Sequence, residues 1–412
     1  MRESTPQAVE AVWRIEAARL IGGLARLVRD VGTAEDLAQD ALVAALEQWP
    51  AEGIPDNPGA WLMTIAKRRA IDGIRREIRL ERKVAELGLL LEDLEEEHHD
   101  VEDDVLRLMF TACHPVLTPP ARAALTLKML AGLRTEEIAR AFLVPTPTMA
   151  QRIVRAKKTL ADAEVPFEVP TGDELGPRLA SVLGVVYLLF NEGYSATAGP
   201  DLVRPALCDE AMRLGRILAA LVPNEPEAHG LIALMELQAS RLRARTNAAG
   251  EIVTMLDQDR SRWDRLLIHR GLTALHQAEA RGGGPYTLQA AIAACHARAA
   301  TADDTDWGRI AALYAVLARV EPSPVVELNR AVAVSYADGP AAALALVDAL
   351  ADDSTLARYH LLPAVRADLL VKLSRPDEAR AEFERAAALT DNDRERDLLR
   401  GRAEECVKSS SR

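Results

Sequence analysis

Aromatic residues make up only 4% of the chain, and β-branched runs bounded by turn residues are hardly present, whereas Ala and Leu abound. This composition favours an all-α protein. Cysteine is sparse too: Cys113, Cys208, Cys295 and Cys406 stand far apart and form no CxxC pair. That speaks against a disulfide framework or a zinc module and fits unpaired thiols in a reducing, cytoplasmic setting. No apolar run approaches the ~18 residues of a membrane span, and the N-terminus, MRESTPQAVEAVWRIEAARL, lacks the continuous apolar core of a signal peptide. Positive charge is also lacking overall, since the formal net charge is -12. Any face that binds nucleic acid must therefore be local. Catalytic groups are not clustered, so no catalytic residue, cofactor or enzyme activity is expected. His98, His99, Cys113 and His114 match no closed zinc spacing, and no metal site is expected.

The most informative stretch is Leu133 to Leu160, LRTEEIARAFLVPTPTMAQRIVRAKKTL. A first helix over Thr135 to Phe142 is expected to open on a capping signal, Thr135 followed by Glu136 and Glu137 near the positive helix terminus. Pro145 blocks its continuation, and Pro147 fits only a first turn, so a second helix should begin near Thr146 or Thr148. That helix buries Met149, Ile153 and Ala156 and presents Gln151, Arg152, Arg155 and Lys158. A short helix, a tight turn and a helix with a basic and amide face form the shape that enters a DNA major groove. Taken alone, the stretch also fits an ordinary helical hairpin with a solvated face.

Upstream, the apolar spacing predicts a helix from Gln7 to Val31, ended by Gly32. Thr33 is then expected to cap a second helix, Ala34 to Gln48, with Asp36, Gln39, Asp40 and Glu47 outside. PAEGIPDNPG, Pro50 to Gly59, reads as a loop. A third helix follows from about Ala60, with an apolar stripe that includes Trp61 and Ile65 and an opposite cationic side. Between Trp61 and Lys83 the cations outnumber the acids, and the acid is concentrated between Glu92 and Asp104. That acidic segment reads as a charged linker, extended by self-repulsion.

AEDLAQDALVAALEQW, NPGAWLMTIAKRRAIDGIRRE, the acidic linker and LTPPARAALTLKMLAGLRTEEIARAFLVPTPTMAQRIVRAKKTL resemble, in this order, the two conserved domains of an extracytoplasmic-function sigma factor of the sigma-70 family. The later segments LASVLGVVYLLFNEGYSA, PSPVVELNRAVAVS and YHLLPAVRADLL resemble the subgroup with a tetratricopeptide-like C-terminal extension. One departure is that Leu143 follows Phe142 where the turn usually carries glycine. The resemblance implies a region 2 domain over 1–87, an acidic linker over 88–104, a region 4 domain over 105–165 and an α-helical, tetratricopeptide-like solenoid over 166–412.

It also implies roles for individual residues. Asp36, Gln39 and Asp40 would face core RNA polymerase. Asp56 and Asn57 would read base edges of the −10 element, with Trp61 stacking or wedging unless it is a core residue. Lys67, Arg68, Arg75 and Arg76 would hold phosphates there. On the −35 element, Gln151 would pair with a base edge, and Ala150 and Val154 would touch a thymine methyl. Thr148, Arg152, Arg155 and Lys158 would hold phosphates, although Arg152 also suits helix packing. The implied function is an alternative sigma factor that directs promoter-specific initiation. Its partners would be core RNA polymerase, promoter DNA and a regulatory protein or peptide on the extension, and it would use no membrane. The competing reading is a ligand- or protein-responsive helix-turn-helix regulator with a tetratricopeptide-like scaffold that does not act through polymerase.

Within the extension, Ala379, Phe383 and Ala386 reproduce the A-x3-F-x2-A spacing of a tetratricopeptide repeat, with small Ala367 on the preceding helix. Ala343, Val347 and Leu350, after Ala331, form a weaker copy. YLLFNEGY, Tyr187 to Tyr194, reads either as a capped core helix or as an interface to the sigma domains. DQDRSRWDR, Asp257 to Arg265, fits a groove lining or a helix cap.

Overall fold

The computed structural model describes residues 5–81 and 101–410, in which 18 helices carry the fold. No described helix is long and apolar enough to cross a membrane. The chain divides into two compact units, Met1–Val186 and Tyr187–Arg412.

The first unit begins with α1 (Thr5–Val28), α2 (Val31–Glu52) and α3 (Pro58–Glu81). The sequence places the first helix boundary at Gly32 and Thr33; the structure places it earlier. Arg29 takes a left-handed conformation (φ 55°), and the Asp30 carboxylate accepts the Thr33 backbone N–H at 2.6 Å. Asp30 is thus the cap, and Gly32 and Thr33 lie in the first turn of α2. The loop expected from Pro50 is also shorter, because α2 runs through Pro50 to Glu52. A proline so near a C-terminal end removes only one ladder bond, and the carbonyl it orphans lies on the exposed Leu46.

Next come α4 (Val101–Ala112), α5 (Pro119–Met129), α6 (Thr135–Ala141), α7 (Thr146–Asp162) and α8 (Leu175–Tyr194). Val101 to Asp104, read from sequence as the end of the linker, instead form the first turn of α4. The rest of that linker, with His98 and His99, lies outside the described residues. The sequence also places a domain boundary after residue 165, whereas the first half of α8 packs on α4 and α5. Arg178 donates to the Phe110 carbonyl at 3.0 Å and Ser181 Oγ to the Cys113 carbonyl at 2.6 Å. Arg122 in turn donates to Ser181 Oγ at 2.8 Å.

The second unit continues with α9 (Pro205–Leu221), α10 (Pro226–Ala239), α11 (Arg265–Glu279), α12 (Pro285–Arg298), α13 (Trp307–Val320), α14 (Pro324–Ala337) and α15 (Pro340–Asp348). It ends with α16 (Leu361–Lys372), α17 (Pro376–Leu389) and α18 (Asp393–Ser410). Many of these helices carry proline at the first position, where its missing N–H costs nothing. The repeat spacing survives as packing: Ala367, Ala379, Phe383 and Ala386 are all buried in one core with Ala331, Ala343 and Val347. Small alanines let α16 and α17 approach, and Phe383 fills the space between them. YLLFNEGY closes α8 as core: Leu189 and Phe190 are buried, and a Cβ on Gly193 would meet the Cys208 nitrogen at 2.7 Å. In DQDRSRWDR, Asp264 caps α11 by accepting the Leu266 and Leu267 N–H groups at 2.9 and 3.1 Å.

The repeat spacing does not announce one further tie. β1 (Ala198–Gly199) pairs in parallel with β2 (Asp391–Asn392). The fully buried Asn392 donates to the Ala196 and Asp201 carbonyls at 2.9 and 3.0 Å and accepts the Arg394 N–H at 3.0 Å. The first loop of the extension is therefore fastened to its last helix.

Candidate functional site

The exposed side of α2 is a stripe of Asp36, Asp40, Val43, Glu47 and Pro50, with Leu46 beside it. Val43 and Leu46 are 49% and 44% exposed. Two bulky apolar groups therefore stand in water three residues apart among the carboxylates of this helix. The sequence points to the acids of this face; Val43 and Leu46 emerge from the structure, although they stand at helical spacing from Asp36 and Asp40.

The three polar residues assigned to this face are all engaged within the unit. Gln39 donates to Glu35 at 2.9 Å. Asp40 meets Arg69 of α3 at 3.4 Å in a solvated pair worth little by itself. Asp36 receives Lys157 of α7 at 2.9 Å.

At the start of α3, Asp56 and Asn57 are exposed. Asn57 caps the helix, its Oδ1 accepting the Ala60 N–H at 3.0 Å, a bond that does not use the amide N–H donors. Trp61 is half-buried, set edge-on against the buried Trp49 with ring centroids 5.4 Å apart. Arg68 is exposed and Lys67 half-buried. The side chains of Arg75 and Arg76 lie outside the described residues.

Helices α6 and α7 form the helix-turn-helix. The capping residue is Arg134 rather than Thr135: the Glu137 carboxylate accepts the Arg134 backbone N–H at 2.8 Å. Leu143 keeps the left-handed geometry usual for glycine at the turn, with φ 50°, and half of its side chain stays in solvent. For an L-residue that conformation costs about 1–2 kcal/mol. Leu143→Gly is therefore expected to raise stability by roughly 1 kcal/mol, read as a shift in urea midpoint at constant slope; a lowered midpoint counts against this account. On α7, Met149, Ile153, Ala156 and Leu160 are buried. Thr148, Ala150, Gln151, Val154, Arg155 and Lys158 are exposed, and Arg152 is half-buried. Lys158 meets Asp162 at 3.0 Å in another exposed pair.

The helix-turn-helix and the α1–α3 bundle interlock. The Trp13 indole N–H donates to the Gly132 carbonyl at 3.0 Å, and Arg14 meets Glu137 at 2.8 Å. A Cβ on Gly22 would strike the Asp104 carbonyl at 2.9 Å, so α1 and α4 cross almost in contact. At the centre Glu35, 3% exposed, forms an ion pair with Lys157 and lies 3.5 Å from Lys128. Burial alone would raise the Glu35 carboxyl, but Lys157 and Lys128 outweigh it and hold it below the ordinary carboxylate range. Burial would likewise lower the Lys157 ammonium, and Glu35 and Asp36 push it above its ordinary value instead. This buried pair was not found from sequence.

All four cysteines are free and buried. Burial pushes the Cys113 thiol up to about 11. Among the described residues no three His, Cys, Asp or Glu side chains come together as a metal site.

Residues 14–79 match Sigma-70 region 2, and residues 107–160 match Sigma-70, region 4. The ECF RNA polymerase sigma factor SigK of Mycolicibacterium vanbaalenii is 30% identical over 155 residues, 36% of this chain and 76% of that protein. The chain belongs to the extracytoplasmic-function sigma factors. A probable ECF RNA polymerase sigma factor, SigI of Mycobacterium tuberculosis, is 25% identical over 167 residues, 39% of this chain and 57% of that protein. An uncharacterized protein of Rhizobium meliloti is 46% identical over 389 residues, 92% of this chain and 91% of that protein, so it shares the extension as well. Residues 178–279 match a family of unknown function, DUF6596. No solved structure matches the chain.

The protein is thus an alternative RNA polymerase sigma factor that directs promoter-specific initiation. Membership of this family implies an initiation factor rather than an enzyme, with core RNA polymerase and promoter DNA as its partners. The matches give no support to a regulator that works without polymerase.

Proposed function

We propose that this sigma factor docks on core polymerase through the exposed stripe of α2, reads the −10 element with Asp56, Asn57 and the start of α3, and reads the −35 element with α7. The exposure of Thr148, Gln151, Arg155 and Lys158 along one side of α7, opposite its buried residues, carries the −35 assignment. Gln151 offers an amide that can pair bidentately with adenine, and the cations hold phosphates. In run-off transcription over a randomised −35 library, Gln151→Ala is expected to flatten preference at one position, a loss of about 1–3 kcal/mol there. An unshifted profile removes Gln151 from base reading.

The interlocked first unit is the closed form of this machine. The −10 and −35 elements lie about 25 base pairs apart, roughly 85 Å at about 3.4 Å per pair. The path from Gln151 along α7, across the Lys157–Asp36 pair, down α2 and through the loop to Asn57 can be no longer than roughly 65 Å. The two reading surfaces must therefore separate before both elements are engaged. A 19-residue stretch joins Glu81 to Val101, and such a chain reaches up to roughly 70 Å. Polymerase supplies the driving force by competing with Lys157 for Asp36. The extension receives the regulatory signal, in the form of a protein or peptide.

A further inference from the structure

The second unit contains a cleft of about 840 Å³ between α13, α14, α16, α18 and the segment 252–257. Three of the large apolar side chains that the protein leaves exposed converge on it: Leu256, Tyr336 and Val371, at 38%, 40% and 42%. Trp307 stacks on Tyr336 at 4.2 Å and 18°, so that wall is flat. Above Tyr336 sits Lys372, its Nζ 3.7 Å from the ring centroid and donating to Ser335 Oγ at 3.3 Å. The acid one turn back, Asp368, is bonded to Arg402 at 2.6 Å and also attracts Lys372, and Asp257 and Glu405 line the same cleft. Lys372 is exposed, and no ion pair involving it is found among the described residues.

The free space does not end there. A cavity of about 400 Å³ shares Val371, Arg402 and Glu405 with the cleft. Another of about 300 Å³ shares Ile252, Leu398, Arg402 and Glu405 with it. Small-molecule sites span ~300–1,000 Å³; the cleft alone lies within that range, and the two adjoining cavities add surface along the same helices on which a longer, extended ligand could lie.

We propose that this groove binds a peptide segment that presents a bulky apolar side chain next to a carboxylate. The apolar group lies against Tyr336, Val371 and Leu256, where it removes exposed hydrocarbon from water. The carboxylate meets the Lys372 ammonium, which is held in place by the ring and the Ser335 hydroxyl. The assignment rests on the reading that the extension receives a regulatory partner, and it names the chemistry of that partner.

The test uses the full-length chain and a random heptapeptide library, each peptide fixed by its N-terminus and ending in a free carboxylate. Enriched peptides are expected to carry Leu, Ile, Phe or Met beside Asp, Glu or the terminal carboxylate. In fluorescence polarisation, Lys372→Met should weaken their binding about tenfold or more, the worth of one charge-assisted hydrogen bond. Lys372→Arg should restore most of it, and Val371→Glu, in the same groove, should weaken it similarly. Circular dichroism melts check that the variants fold, and the two substituted positions are both exposed. Enrichment of basic or unrelated sequences, or binding indifferent to Lys372→Met, overturns the proposal. So does stoichiometric binding of decanoate at Lys372 with no peptide enriched. If a peptide binds through Lys372 but leaves run-off transcription unchanged, the groove stands and only the regulatory reading falls.

Discussion

Replacing Lys157 with methionine is expected to open the first unit. The substitution keeps the apolar stem on the buried side of α7 and removes the charge that Glu35 requires. Stripping one partner from a buried ion pair costs about 3–5 kcal/mol, and Lys128 at 3.5 Å compensates in part, so the lower end of that range is expected. A loss of about 3 kcal/mol shifts the closed-to-open equilibrium roughly a hundredfold. Because the four native cysteines are buried, cysteines introduced at the exposed Arg19 and Ala161 can be labelled selectively. Energy transfer between them should fall in Lys157→Met and recover in Lys157→Arg. Run-off transcription at limiting sigma factor should rise with the open population. If transfer is unchanged in Lys157→Met, the ion pair does not hold the closed form.

The same pair fixes the pH range of the closed form. Glu35 is lowered in that form, so its contribution is complete above the ordinary carboxylate value of about 4.3 and is lost as pH falls through the lowered one. Lys157 is raised, so its contribution is complete below the ordinary lysine value of about 10.4 and is lost as pH climbs through the raised one. Energy transfer should stay flat from about pH 5 to 10. Opening in the cell is thus driven by competing contacts and not by protons.

What could be read from the sequence follows from how local each signal is. The helix-turn-helix was legible because Pro145 and Pro147 punctuate it and the apolar spacing of α7 separates its two sides within a few residues. The Ala379, Phe383 and Ala386 spacing was legible for the same reason. Asp30 was missed because Thr33, three residues on, is an equally good capping residue, and only geometry shows which of them binds the free N–H. The roles of Asp36, Gln39 and Asp40 were drawn as those of a solvent-facing surface, yet Asp36 is held by a lysine 121 residues away. A signal for that lysine did exist. Lys157 stands four residues after Ile153 and three before Leu160, on the buried side, whereas Lys158 next to it faces solvent. A cation at an apolar position of an amphipathic helix requires a buried acid, and Glu35, among the alanines of α2, is one. Nothing local predicts the Asn392 tie to Ala196, since its partners lie 196 residues apart.

Charge reversal on α2 should separate opening from docking. In the double variant Asp36→Lys, Asp40→Lys, position 36 repels Lys157 while the buried Glu35 pair remains, so energy transfer falls by less than in Lys157→Met. Polymerase binding should move the other way. Lys157→Met leaves the acidic and apolar stripe intact and binds core enzyme at least as tightly as the wild type, whereas the reversed stripe repels its basic partner and loses copurification. Val43→Glu with Leu46→Glu isolates the apolar part. The four substitutions differ in what they cost: exposed acids mainly guide encounter, while a bulky side chain buried at the centre of an interface is worth about 2 kcal/mol or more. The Val43 and Leu46 pair should therefore weaken binding a hundredfold or more and slow association little, and reversal of the acids should act chiefly on the association rate and its salt dependence. Surface-attached core enzyme and the purified variants give both rates. Wild-type dissociation from the Val43→Glu, Leu46→Glu variant would move the docking surface off α2, and the closed form would then have to obstruct polymerase by some route other than its hold on Asp36.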